Sequence, residues 1–234
     1  MTVAPPPVHV PRPYAFPQTA LAARVEVPTT DGATIVAWTY APDGVTDEPR
    51  TPFGLGLAVP PVLMLHGNGE EHGIFGPVID AVCASGRAVI AVDSRAQGQS
   101  TRGTAPLSYE LMAADAREVC SRLGVPQVHV LGFSDGGILG LLLARDWGAH
   151  VLSLTALGAN LTPAGLPKED TDWMAFAAAE NRRWAEEGHE GAELEDGTPV
   201  PSPAESARIA ELLQLMVDNP QIDAASLAGI SCPV

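Results

Sequence analysis

Cysteine is nearly absent from this chain. Its three residues, Cys83, Cys120 and Cys232, are far apart and form no C-x-x-C pair. A disulfide framework or a thiolate metal site is therefore not expected, and the thiols read as buried and free. Basic residues are also scarce: 13 Lys and Arg stand against 28 Asp and Glu, a formal net charge of −15. Such a surface repels phosphates, which excludes a nucleic acid or an anionic membrane as partner and disfavours a polyanionic substrate. No apolar run approaches the ~18 residues that a membrane span needs. The start carries prolines at positions 5, 6, 7, 11, 13 and 17 and no apolar core of a signal peptide, so a cytoplasmic location is expected. Internal repeats are lacking as well.

What remains is globular. With 46% hydrophobic and 18% charged residues, 234 residues suit one domain, or one domain with an insertion. Residues 1–23 read as a proline-rich extension. Two strands, 24–27 and 33–40, flank a Thr30-Asp31-Gly32 turn. The apolar runs 60–65, 88–92, 127–133 and 151–157 read as buried strands. Between them lie helical patterns: Phe75, Val78, Ile79, Val82 and Cys83, then Tyr109, Met112, Ala113, Ala116, Val119, Cys120 and Leu123, opened by Ser108 as a cap and closed by Gly124. Strands alternating with helices predict an α/β fold over 24–160, a mostly parallel sheet with helices on both faces. From 161 to 229 the alternation stops. A helix over 172–187 with Trp173, Phe176, Ala177 and Trp184 as its apolar side, and another opened by the capping box at Ser202 and Glu205, predict a helical cap.

The stretch 127–144 organises the rest. A short apolar run leads into Gly132-Phe133-Ser134-Asp135-Gly136 and then into a long apolar helix, the strand, elbow and helix order of a G-x-S-x-G nucleophile. A serine at the tip of so tight a turn sits in a strained backbone conformation. Residues two before and two after pass too close to other backbone to carry a Cβ, which is the use of Gly132 and Gly136. The following helix aims its N-terminus at Ser134, where negative charge develops during acyl transfer.

Three strand ends taken together, His66-Gly67-Asn68-Gly69, the segment from Asp93 to Ser100, and the elbow, resemble the α/β-hydrolase fold family. Within it the chain looks like the lid-bearing serine hydrolases, esterase-like or lactonase-like. The resemblance implies Ser134 as catalytic nucleophile and the backbone N–H groups of Asn68 and Asp135 as oxyanion hole. It implies no cofactor and no metal, and a small-molecule substrate; the oligomeric state stays open. His66 is expected to hold its turn rather than move protons, and Asp93 and Arg95 to fix their loop. Ala96 departs from the glycine usual there, which should strain or reshape the loop.

A serine needs a base, and the base needs an acid to orient it. In the family these follow the seventh and eighth strands, whereas residues 230–234 read as the start of the seventh. The expectation is a C-terminally truncated hydrolase, with its last strands and helices missing and nearly inactive by itself. Either the chain is a fragment, or a second polypeptide supplies the rest. A less favoured triad would join Ser134 to His189 with Asp170 or Asp172. The alternative function is a ligand-binding domain that keeps the pocket without the chemistry.

Overall fold

A computed structural model describes residues 14–42, 51, 53, 55, 58–188 and 200–234. They fall into two compact units, one over 160–221 and the other formed by the described residues up to 159 together with 222–234.

The larger unit is a six-stranded sheet. Its strands are β1 (Leu21–Pro28), β2 (Thr34–Tyr40), β3 (Val62–Leu65), β4 (Val89–Asp93), β5 (Val128–Phe133) and β6 (Val151–Leu157), in the spatial order β1-β2-β4-β3-β5-β6. The last four pair in parallel, while β1 and β2 add antiparallel at one edge. Every residue of β3 and β4 is buried, as unbroken apolar runs at the centre of a covered sheet require. β1 begins three residues before the predicted strand and is largely exposed, as suits an edge.

Side chains alternate between the faces. On one, Val62, Met64, Val89 and Ala91 pack against Ile79 and Cys83 of α1 (Gly76–Ala84). On the other, Val130 and Leu154 come so close to α3 (Asp135–Asp146) that a Cβ on Gly140 would sit 2.5 Å from Leu154. Beside α3 on that face lies α2 (Tyr109–Leu123), opened by the Ser108 hydroxyl accepting the Leu111 N–H at 3.1 Å and closed by Gly124 at φ 70°. Helices therefore cover both faces. Cys83 and Cys120 are buried and all three thiols are free; burial pushes the Cys120 thiol up to about 12.

Of the proline-rich start, residues 1–13 lie outside the described residues. The continuation is tied to α1, whose Asp80 carboxylate accepts the Gln18 N–H at 2.9 Å and the Thr19 N–H and hydroxyl at 2.8 Å.

The smaller unit pairs α4 (Lys168–Glu187) with α5 (Pro203–Asp218) through Ala177, Ala178 and Leu213. The capping box at Ser202 and Glu205 forms as its sequence predicts. Two expectations fail here and at the end of the chain. First, α4 begins four residues early, and of its expected apolar side it buries Ala177 and Trp184, together with Ala178 and Asn181, but leaves Trp173 and Phe176 43% and 58% exposed. The contact with α5 runs through the small residues Ala177 and Ala178, which permit close approach. Second, 222–229 group with the sheet unit, and 230–234 form no strand. A single hydrogen bond, from the Leu154 N–H to the Pro233 carbonyl at 2.9 Å, links that segment to β6 and is too little for a ladder.

Candidate active site

Ser134 stands between β5 and α3 as the N-cap of α3, with φ 53° and ψ −116°. Only one other described non-glycine residue has positive φ, Ala96 at 63°. The flanking glycines show why no side chain is tolerated. A Cβ on Gly132 would lie 2.1 Å from the Gly136 carbonyl oxygen, and one on Gly136 would lie 1.9 Å from that of Leu65. The backbone of the elbow is thus wedged against the end of β3. The Ser134 N–H donates to the Leu157 carbonyl at 2.7 Å. Its side chain is half-buried, and its hydroxyl has no hydrogen-bond partner among the described residues.

The loop after β3 lies against the elbow: a Cβ on Gly67 would stand 3.1 Å from that of Ser134. His66 secures this loop. Its Nδ1 bonds the Gly67 carbonyl at 2.8 Å and its Nε2 accepts the Ser94 N–H at 2.9 Å. An Nε2 that accepts is unprotonated, so the ring is neutral, and burial lowers its pKa accordingly. The Gly69 N–H donates to Gln97 Oε1 at 2.6 Å, a second tie to the loop after β4.

That loop is fixed as its residue types suggest. Arg95, 1% exposed, forks onto Asp115 with two bonds of 2.8 Å and also reaches Asp31 at 2.8 Å. Ala96 is buried at its strained φ. Asp93 is fully buried and accepts the His72 N–H and Nδ1 at 2.9 Å, the Gln99 N–H at 3.0 Å and Trp38 Nε1 at 3.2 Å. Burial alone would push this carboxyl up, yet these bonds outweigh it and hold the pKa at about 2. Among the described residues, Glu71, His72 and Asp93 are the group whose ligand atoms could converge on a cation, lying within 4.8 Å of one another. Asp93 already spends its lone pairs on four donors, so the fit to a metal is poor.

Asp135 opens α3. Its carboxylate is 3% exposed and accepts the Tyr109 hydroxyl at 3.0 Å and Asn68 Nδ2 at 3.1 Å, while its backbone N–H donates to no described residue. Burial pushes its pKa up to about 6, against the lowering effect of those two bonds. A carboxyl with a raised folded-state pKa contributes stability that is present below its unfolded value of 3.8 and lost as pH rises through about 6. Asp135→Asn keeps an acceptor for Tyr109 and removes the charge. It is expected to raise stability at pH 8 by on the order of 3 kcal/mol and to change it little at pH 4. Urea unfolding at the two pH values measures this; equal shifts at both would show that ionisation is not the cause.

Ser134, Gly132, Gly136, Asn68 and Asp135 thus lie together in one unit. Asp170 and Asp172 are exposed on α4, Asp172 paired with Lys168 at 2.6 Å, and His189 lies outside the described residues. The other described histidines have partners elsewhere: His72 with Asp93, His129 with Ser153 at 2.8 Å, and His150 with the Pro126 carbonyl at 2.7 Å. None bonds Ser134. Tyr109, which its spacing presents only as a core residue, is the site residue that the sequence does not reveal. A hydroxyl on an apolar helix face was the one available signal.

The alpha/beta hydrolase fold family matches residues 60–193. The RutD protein of Azorhizobium caulinodans is 38% identical over 95 residues, 41% of this chain and 36% of RutD. The AB hydrolase superfamily protein YisY of Bacillus subtilis is 32% identical over 123 residues, 49% of this chain and 46% of YisY. The chain therefore spans less than half the length of these curated relatives. A thermophilic esterase from Thermogutta terrifontis superposes with a TM-score of 0.60 at 22% identity, covering 91% of this chain and 78% of the esterase, a likeness of fold. The family match extends over more than half of the chain and agrees with the sheet order and the strained serine between two obligatory glycines, so the chain belongs to the α/β-hydrolase fold family.

Proposed function

We propose that this chain carries the nucleophile and oxyanion hole of a serine hydrolase acting on a carboxylic ester or a related small acyl substrate. The observation that carries the proposal is the conformation of Ser134, φ 53° and ψ −116° at the N-terminus of α3, where strain holds a hydroxyl at the helix end. In the proposed reaction Ser134 Oγ bonds to the acyl carbon. The carbonyl electrons move onto the oxygen, which the N–H groups of Asn68 and Asp135 stabilise, and collapse expels the alcohol to leave an acyl-enzyme that water cleaves. Phe133 and Leu157, 41% and 47% exposed and joined to the elbow, supply an apolar wall suited to the acyl part. The net charge of −15 favours an uncharged or cationic substrate over a polyanion.

The proton of Ser134 needs an acceptor, and every described histidine is bonded elsewhere. We therefore place the base and its acid partner outside residues 1–234, on the same or another polypeptide, rather than on His189 with Asp170 or Asp172. The test is labelling by a fluorophosphonate, located by peptide mass spectrometry, on residues 1–234 and on the full-length protein. Labelling at Ser134 is expected to be fast in the full-length protein and slower by about 10⁴-fold or more in the shorter chain, the usual loss when a triad base is removed. Equally fast labelling of both would place the base within 1–234, and equally slow labelling would place it on another polypeptide. Ligand binding without any labelling would favour the non-catalytic domain.

A further inference from the structure

The two backbone amides assigned to the oxyanion belong to residues whose side chains are bonded to each other: Asn68 Nδ2 donates to Asp135 Oδ2 at 3.1 Å. The bond joins the loop after β3 to the first turn of α3 across 67 positions of sequence. Tyr109 braces the other carboxylate oxygen from α2 at 3.0 Å. A carboxylate only accepts, so the Asn68 amide must present its nitrogen, and its orientation is fixed. Asp135 is 3% exposed, a costly place for an acid that a neutral side chain could fill.

Resting on the proposed acyl transfer, we propose that the Asp135 side chain is a positioning residue: its bridge to Asn68 sets the spacing and aim of the two oxyanion donors. Donors aimed before reaction need no reorganisation as charge develops, and displacement of one by about 1 Å costs up to about 10²-fold in rate. The bridge should therefore act on turnover and not on substrate binding.

The experiment measures kcat and KM for p-nitrophenyl acetate with the full-length protein and with Asn68→Ala, Asp135→Ala, the double alanine variant, and the exchange Asn68→Asp with Asp135→Asn. The exchange rebuilds the bridge with donor and acceptor reversed and leaves an acceptor for Tyr109. Each alanine variant is expected to lose about 10- to 100-fold in kcat with KM within about twofold. The double variant should be no slower than the slower single one, and the exchange should recover to within about fivefold of the parent. If Asp135→Ala does not fold, Asn68→Ala and the exchange carry the comparison, since Asn68 is only half-buried. An active parent with additive losses, parental kcat in Asn68→Ala, or no recovery in the exchange overturns the bridge and leaves the hydrolase intact. A parent with neither turnover nor labelling at Ser134 overturns both.

Discussion

Substituting glycine for Ser134 is expected to lower the proposed ester turnover by about 10⁴- to 10⁶-fold and, at the same time, to raise stability. The loss follows from removal of the group to which the proposed reaction assigns the acyl-enzyme bond. The gain follows from the backbone, since φ 53° and ψ −116° cost a residue with a Cβ about 1–3 kcal/mol and cost glycine far less. Glycine returns up to about 1 kcal/mol of this through its looser unfolded state, so a net gain of about 1–2 kcal/mol is expected. Calorimetric melting beside the ester assay separates the two effects. Turnover that survives would remove Ser134 from the mechanism; an unchanged or lower melting temperature would mean that the elbow stores no strain.

Gly136→Ala should give one of the large stability losses available to a single methyl addition in the sheet unit. The new carbon would stand 1.9 Å from the Leu65 oxygen and 2.4 Å from its carbonyl carbon, backbone atoms of the strand at the sheet's centre. Side chains could swing aside, but β3 is hydrogen-bonded on both edges, to β4 and to β5, and cannot. A cost above about 3 kcal/mol is expected, at the upper end of overpacking effects because the obstacle is main chain. Gly148→Ala is the control: its added Cβ meets nothing within 4 Å. Urea midpoints of the two variants provide the test, and a Gly136→Ala protein within 1 kcal/mol of Gly148→Ala would show that the elbow can open.

These two residues also show how much of the site was legible in sequence. Gly132, Ser134 and Gly136 are read from spacing because a tight turn makes demands within five residues. The Ser108 and Gly124 ends of α2 and the capping box of α5 are legible for the same reason: each bond they make spans four residues or fewer. The apolar face of α4 was legible only in part, since Ala177 and Trp184 are buried as read while Trp173 and Phe176 are exposed. Trp173 and Phe176 match its helical period, yet the packing against α5 runs through Ala177, which the reading included, and Ala178, which it did not. Periodicity names a stripe, and only the neighbouring helix decides which side of it is covered.

The order of elements, the unbroken apolar strands at the centre and the elbow were determined by the sequence alone, because propensity and capping are local properties. Tertiary structure alone decided that Asp135 would meet Asn68 and Tyr109, and that Asp93 would gather Trp38, His72 and Gln99. Those meetings depend on the crossing order β4-β3-β5, which brings distant loops to adjacent strand ends. A hydrogen bond between side chains 67 positions apart leaves no periodic trace in the chain, since nothing in either residue's neighbourhood encodes the other.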